Sequence, residues 1–103
     1  MLDLSFTFTG TCWIWQGKGT WYFITLPQNK SEEIKFFSEH YSGKRRGWGA
    51  VRVQVTIGST TWETSIFPHS KVDAYILPVK ADVRKLEKIA AGDNVKVKLK
   101  INI

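Results

Sequence analysis

A chain of 103 residues with one cysteine must hold its fold by packing alone, because no intrachain disulfide can form. Hydrophobic residues make up 43% and charged residues 23%, which excludes a disordered chain, and five Trp, six Phe and three Tyr supply the bulk of a dense core. The net charge of +6 sits in both halves, with seven bases against four acids through Arg52 and eight against five after it, so no charged tail carries it.

The opening segment alternates Leu2, Leu4, Phe6 and Phe8 with Asp3, Ser5, Thr7 and Thr9, which predicts a strand with one buried face. Two further strands, Cys12–Gln16 and Thr20–Leu26, flank Gly17-Lys18-Gly19. A short helix is expected from a cap at Ser31, with Ile34, Phe37 and Tyr41 on one stripe and a stop at Ser42-Gly43. The central hairpin is the clearest element. Val51, Val53, Val55 and Ile57 alternate up to Gly58-Ser59, a two-residue loop that pairs Ile57 with Thr60, Val55 with Trp62, Val53 with Thr64 and Val51 with Ile66. Arg52, Gln54 and Thr56 then oppose Ser65, Glu63 and Thr61 on the other face.

A strand over Asp73–Leu77 ends at Pro78. The second helix is predicted over Ala81–Ala90, with Val83, Leu86 and Ala90 inward and Gly92 ending it in a left-handed turn. Val95, Val97, Leu99, Ile101 and Ile103 form the buried face of a last strand whose wet face carries Lys96, Lys98 and Lys100. The expectation is a single domain over 1–103, mainly β, in a closed or partly open antiparallel barrel of about six to seven strands with two short helices. Trp62, Val53, Val55, Val83, Leu86, Val97 and Leu99 are expected in its core, as are at least three of the five tryptophans. Trp13, Trp15 and Trp21 share an odd phase, and an exposed pair would suggest a platform for a base or a sugar.

Catalytic patterns are sparse. His40 and His69 are isolated, no metal-ligand spacing appears, and Ser65 lies mid-strand, so neither a metal nor a cofactor is expected. Cys12 beside Trp13 reads as a small buried hydrophobe. The segment Gly43-Lys44-Arg45-Arg46-Gly47-Trp48-Gly49 has the most functional character: Lys44, Arg45 and Arg46 can meet phosphates or carboxylates, and Trp48 offers a stacking face. Its alternative is a solvated turn with Trp48 plugging the barrel. Lys80, Arg84 and Lys88 recur along one side of the second helix and, with Lys96, Lys98 and Lys100, could make a basic surface. They equally suit a helix dipole and an edge strand guarded against aggregation.

The runs Gly-Trp-Gly-Ala-Val-Arg-Val-Gln-Val-Thr-Ile-Gly at 47–58, Thr-Trp-Glu-Thr-Ser-Ile-Phe-Pro at 61–68, Tyr-Ile-Leu-Pro-Val-Lys-Ala-Asp-Val-Arg-Lys at 75–85 and Ala-Gly-Asp-Asn-Val at 91–95 resemble the bacterial and archaeal family called domain of unknown function 1905. Trp-Tyr-Phe-Ile-Thr-Leu-Pro at 21–27 extends the likeness over nearly the whole chain. The resemblance implies a small β-barrel with short helices and no established activity. A shorter echo, Leu77 through Val95, resembles the strand–helix–turn–strand unit of AbrB-type DNA-binding regulators.

Three functions are weighed on these residues. The first is a non-enzymatic, cytoplasmic binding module for an anionic ligand, with Lys44, Arg45, Arg46, Trp48, Arg52 and Glu63 as its site. The second is a nucleic-acid binder, as a homodimer in one arrangement, using the same loop and Lys80, Arg84, Lys88, Lys96, Lys98 and Lys100. The third is an enzyme on a small acidic substrate, drawing on Glu63, Arg52 or His69. No membrane partner is expected, since no run approaches the ~20 apolar residues of a span and the N-terminus has no leader pattern.

Overall fold

The computed structural model describes residues 3–41, 49–69 and 71–102. Among these, the elements run β1 (Asp3–Gly17), β2 (Gly19–Thr25), α1 (Gln28–Tyr41), β3 (Val51–Ile57), β4 (Thr60–His69), β5 (Ala74–Pro78), α2 (Ala81–Glu87) and β6 (Asn94–Asn102). The strands close into an antiparallel barrel in the order β1-β2-β5-β4-β3-β6, with β6 returning to β1. The strand count is six because the opening segment and Cys12–Gln16 form one strand of 15 residues.

Closure depends on two strands that each serve both halves. β1 pairs with β6 through Asp3–Thr11 and with β2 through Cys12–Gly17. β4 pairs with β3 over 60–66 and with β5 over 67–69. At the β1 corner the ladder continues through the turn before β6, where Cys12 N–H donates to the Asp93 carbonyl and Gly92 N–H to the Cys12 carbonyl at 2.9 and 2.8 Å. Gly10 sits at the same corner, where an added Cβ would come within 2.6 Å of Ile24 Cγ2.

The interior follows the predicted alternation. Val51, Val53, Val55 and Ile57 are buried from β3, and Val95, Val97, Leu99 and Ile101 from β6. Phe8, Cys12, Ile24, Leu26, Ile66, Tyr75 and Leu77 complete the barrel core, with Ile34 and Val83 docked on it from α1 and α2. The β3–β4 register matches the sequence expectation pair for pair. Gly58 adopts φ 59° while Ser59 keeps a negative φ, the pattern of a type II′ turn.

Both helices depart from expectation at their ends. α1 begins at Gln28, so Ser31 lies within it instead of capping it. Ser31 is fully buried, and its Oγ accepts the Tyr75 backbone N–H at 3.0 Å, tying α1 to β5. Ser31→Ala leaves that buried donor without its acceptor and should cost about 1–3 kcal/mol. Urea denaturation checks this, and a change within about 0.5 kcal/mol would mean that the bond contributes nothing net.

α2 stops at Glu87 because Lys88 takes the left-handed conformation at φ 56°, with its N–H on the Arg84 carbonyl. Gly92 therefore shapes the following turn, not the helix end. The early stop also overturns Leu86 as a core residue. With only two turns, α2 buries Val83; the chain then swings round at Lys88 and packs Ile89 on the core, leaving Leu86 68% exposed and Ala90 exposed.

The tryptophans overturn a second expectation. Of the four described, none is fully buried. Trp62 faces the core but is half-buried, packed against its edge. Trp13 is half-buried, and Trp15 and Trp21 are exposed. Their odd phase is the outward one, since Cys12 and Ile24 occupy the inward phase of the same strands.

Candidate functional site

The two corner strands give the barrel two outward faces of opposite chemistry. In the half built by β1, β6, β3 and β4, the outward positions are Thr7, Thr9 and Thr11, then Lys96, Lys98 and Lys100, then Arg52, Gln54 and Thr56, then Thr61, Glu63 and Ser65. Past the corners, the outward positions of the same two strands become Trp13 and Trp15 on β1 and Phe67 and His69 on β4. Trp21 and Phe23 from β2 and Ile76 and Pro78 from β5 lie between them. One face is hydroxylated and cationic. The other is aromatic.

On the cationic face the register places Thr9 opposite Lys96, Thr7 opposite Lys98 and Ser5 opposite Lys100, with Thr56 and Gln54 opposite Lys98 and Lys100 on the other flank. Alternate residues of a strand lie about 6.6–6.8 Å apart, so the three lysines are rooted at even intervals along β6. β6 pairs with β1 along its length and with β3 over 98–100, so the barrel has no edge at Lys98 and Lys100. Protection of a free edge therefore does not account for these lysines, which corrects the edge-strand reading. Among the described residues, the ion pairs are Lys30–Glu33 at 3.2 Å and Arg52–Glu63 at 3.9 Å, and the lysines of the row take part in neither. Arg52 and Glu63 are both exposed, so their contact is worth little in water. Thr11 and Asn94 join at the row's end at 2.8 Å.

The α2 cations divide between the two faces. Lys88 lines a shallow cleft with Lys96, alongside Glu87 and Asp93. Lys80 and Arg84 line a different cleft, with Trp21, Trp62 and Phe67. The Arg84 guanidinium lies 3.6 Å from the centre of the Tyr22 ring and its Nε donates to the Val79 carbonyl at 3.2 Å, which fixes it on the barrel wall. Lys80 and Arg84 therefore line a different cleft from Lys88 and Lys96. Lys44, Arg45, Arg46 and Trp48 lie outside the described residues, as does the side chain of His40.

Of the candidate catalytic groups, Arg52 and Glu63 meet at 3.9 Å in the open, and His69 stands apart from them. His69 and Glu63 line different clefts, His69 beside Trp13 and Glu63 beside Lys80 and Arg84. Among the described residues no three of His, Cys, Asp and Glu gather as a metal site would require. Burial pushes the Cys12 thiol above its ordinary value, with Arg84 drawing it down and Asp93 raising it further, so it stays protonated near neutral pH and is a poor nucleophile. No helix is long and apolar enough to cross a membrane.

The aromatic face is what the sequence reading placed wrongly. The signal lay in the outward phase: along β1 it changes from Ser5, Thr7, Thr9 and Thr11 to Trp13 and Trp15, and along β4 from Thr61, Glu63 and Ser65 to Phe67 and His69.

A search among curated proteins returns no match to this chain. The model of the family described as "Domain of unknown function (DUF1905)" matches residues 8–99, which takes in all of β2 to β5, both helices and most of β1 and β6. The chain belongs to that family.

Proposed function

We propose that this protein is a non-enzymatic binding module for an anionic partner, and that the partner is the phosphate backbone of nucleic acid. Lys96, Lys98 and Lys100 carry the contact, with Arg52 and Lys88 at its margins. The observation behind this reading is the unpaired lysine row on an internal strand of a closed barrel, flanked by hydroxyls that can donate to the same phosphates. The basic segment containing Lys44, Arg45, Arg46 and Trp48 precedes β3 by a few residues in the chain and extends the same chemistry.

Two features favour an extended polyanion over a small anion here. The hollow between Arg52, Gln54, Glu63 and Lys100 is about 90 Å³, well below the ~300 Å³ at which ligand pockets begin, and the cleft of about 340 Å³ beside Lys88 and Lys96 is also lined by Glu87 and Asp93, which oppose a small anion. The row itself is open and linear. No aromatic side chain stands among the described outward residues of this face, so their contacts fall on phosphates and not on stacked bases, which suits a duplex read without sequence preference.

Fluorescence anisotropy with labelled duplex DNA tests the reading. Each phosphate contact adds about 0.9 to the salt exponent, so losing three near 0.1 M salt should weaken binding by roughly two orders of magnitude or more. The variant Lys96→Thr/Lys98→Thr/Lys100→Thr keeps residues suited to strands at outward positions, so its barrel should be retained. Unchanged affinity in that variant would refute the assignment.

A further inference from the structure

We infer that the aromatic face carries a second, separate site, for a small ligand that combines a flat ring system with one anionic group. The site is a cleft of about 450 Å³, within the ~300–1,000 Å³ range of small-molecule pockets. Trp15, Trp21 and Phe67 are 46%, 52% and 44% exposed at its walls, a large apolar area for a chain to leave open to water.

The rings are held ready. Trp13 donates from Nε1 to Thr25 Oγ1 at 2.8 Å and packs on Phe23 with centroids 5.2 Å apart. Trp21 lies nearly parallel to Phe23, at 6.2 Å and 10°. A flat ligand therefore meets a surface whose orientation is already fixed and loses little freedom of the protein on binding.

The polar surroundings of the cleft define what that ligand carries. At the inner end, His69 lies 6.0 Å from Trp13 between ring centroids, and its Nδ1 is buried with no hydrogen-bond partner among the described residues. That nitrogen is closed off from the cleft, so His69 contributes to the site as a residue of its lining. Along one side the cleft shares Trp21, Phe67 and Pro78 with a neighbouring cleft of about 520 Å³ that holds Lys80 and Arg84 together with Glu63, whose carboxylate faces Arg52 at 3.9 Å. Neither cation is in an ion pair among the described residues, and Arg84 is fixed on Tyr22. An anionic group on the ligand meets them there. The same two cations argue against a second copy of this chain as the occupant, because a symmetric pairing would bring the basic rims together.

Titration calorimetry with naphthalene-2-carboxylate as probe, and naphthalene-2-methanol as its uncharged counterpart, tests this inference. The carboxylate should bind at one site per chain with a Kd below about 1 mM. Trp21→Ala should weaken it about tenfold through the lost ring contact. Lys80→Gln should weaken the carboxylate and leave the alcohol unchanged. Both variants should bind duplex DNA like the parent, which separates failure of this site from failure of the lysine row. Equal affinity for carboxylate and alcohol, or no saturable binding of either, would overturn the inference. So would a dimer in sedimentation that Trp21→Ala dissociates, since the face would then be occupied by another copy.

Discussion

Leu99→Ala is expected to destabilise the barrel by about 2–5 kcal/mol, a large part of the 5–15 kcal/mol typical of a whole domain. Leu99 is fully buried on β6, opposite Phe6 on β1 and Val55 on β3, so it sits where three strands converge on the interior. Truncation removes three carbons from water-free contact and leaves a cavity. The hydrogen-bonded ladders on both sides of β6 prevent the strand from moving inward to fill it. Urea unfolding followed by tryptophan emission measures the loss, and the midpoint should fall with little change in slope. A loss below about 1 kcal/mol would place Leu99 outside the core and contradict the alternation of β6.

Gly10→Val should be nearly as damaging, for the opposite reason. Position 10 points inward at the corner where β1 leaves β6 for β2, and the corner is tight. A Cβ there would stand 2.6 Å from Ile24 Cγ2, 3.1 Å from the Thr25 carbonyl oxygen and 3.4 Å from Phe8 Cε2. Ile24 is fully buried and the Thr25 oxygen belongs to the backbone, so neither can yield cheaply. Overpacking of this kind costs about 1–3 kcal/mol, and the branched side chain of valine places it at the upper end. Gly10→Ala should show the same defect at smaller size. Thermal unfolding distinguishes the outcomes: a melting temperature equal to the parent's would mean that β1 can bend without a glycine at its corner.

These two residues also mark what the sequence could and could not reveal. Leu99 was legible because β6 alternates without a break, and strict period-two patterning fixes which face is buried. The β3–β4 register was legible for the same reason, helped by a turn that admits few geometries. Gly10 was not, since its role arises only when Ile24, fourteen residues away in the neighbouring strand, packs over it. Ala90 was misplaced because helical periodicity was extended past Lys88, where an uncommon left-handed lysine ends the helix, and Leu86 because Ile89, beyond that turn, covers the core in its place.

The site shows the same limit more sharply. Alternation correctly put Trp13, Trp15 and Trp21 in one phase, but hydrophobic character alone led to the expectation that at least three of the five tryptophans are buried. Cys12 and Ile24, smaller and less conspicuous, hold the interior positions, and the large rings face out. The lysine row was visible from its spacing. Its meaning changed once β6 proved to be flanked on both sides, because a paired strand has no edge to protect.

The anion-binding account is tested most directly by the slope of log affinity against log salt for duplex DNA, measured for the parent and for Lys96→Thr/Lys98→Thr/Lys100→Thr. Counterion release predicts a parental slope of about −3 or steeper, and a variant slope shallower by about 3, one for each lysine removed from a phosphate. A parental slope near zero, or the same slope in both proteins, would contradict it.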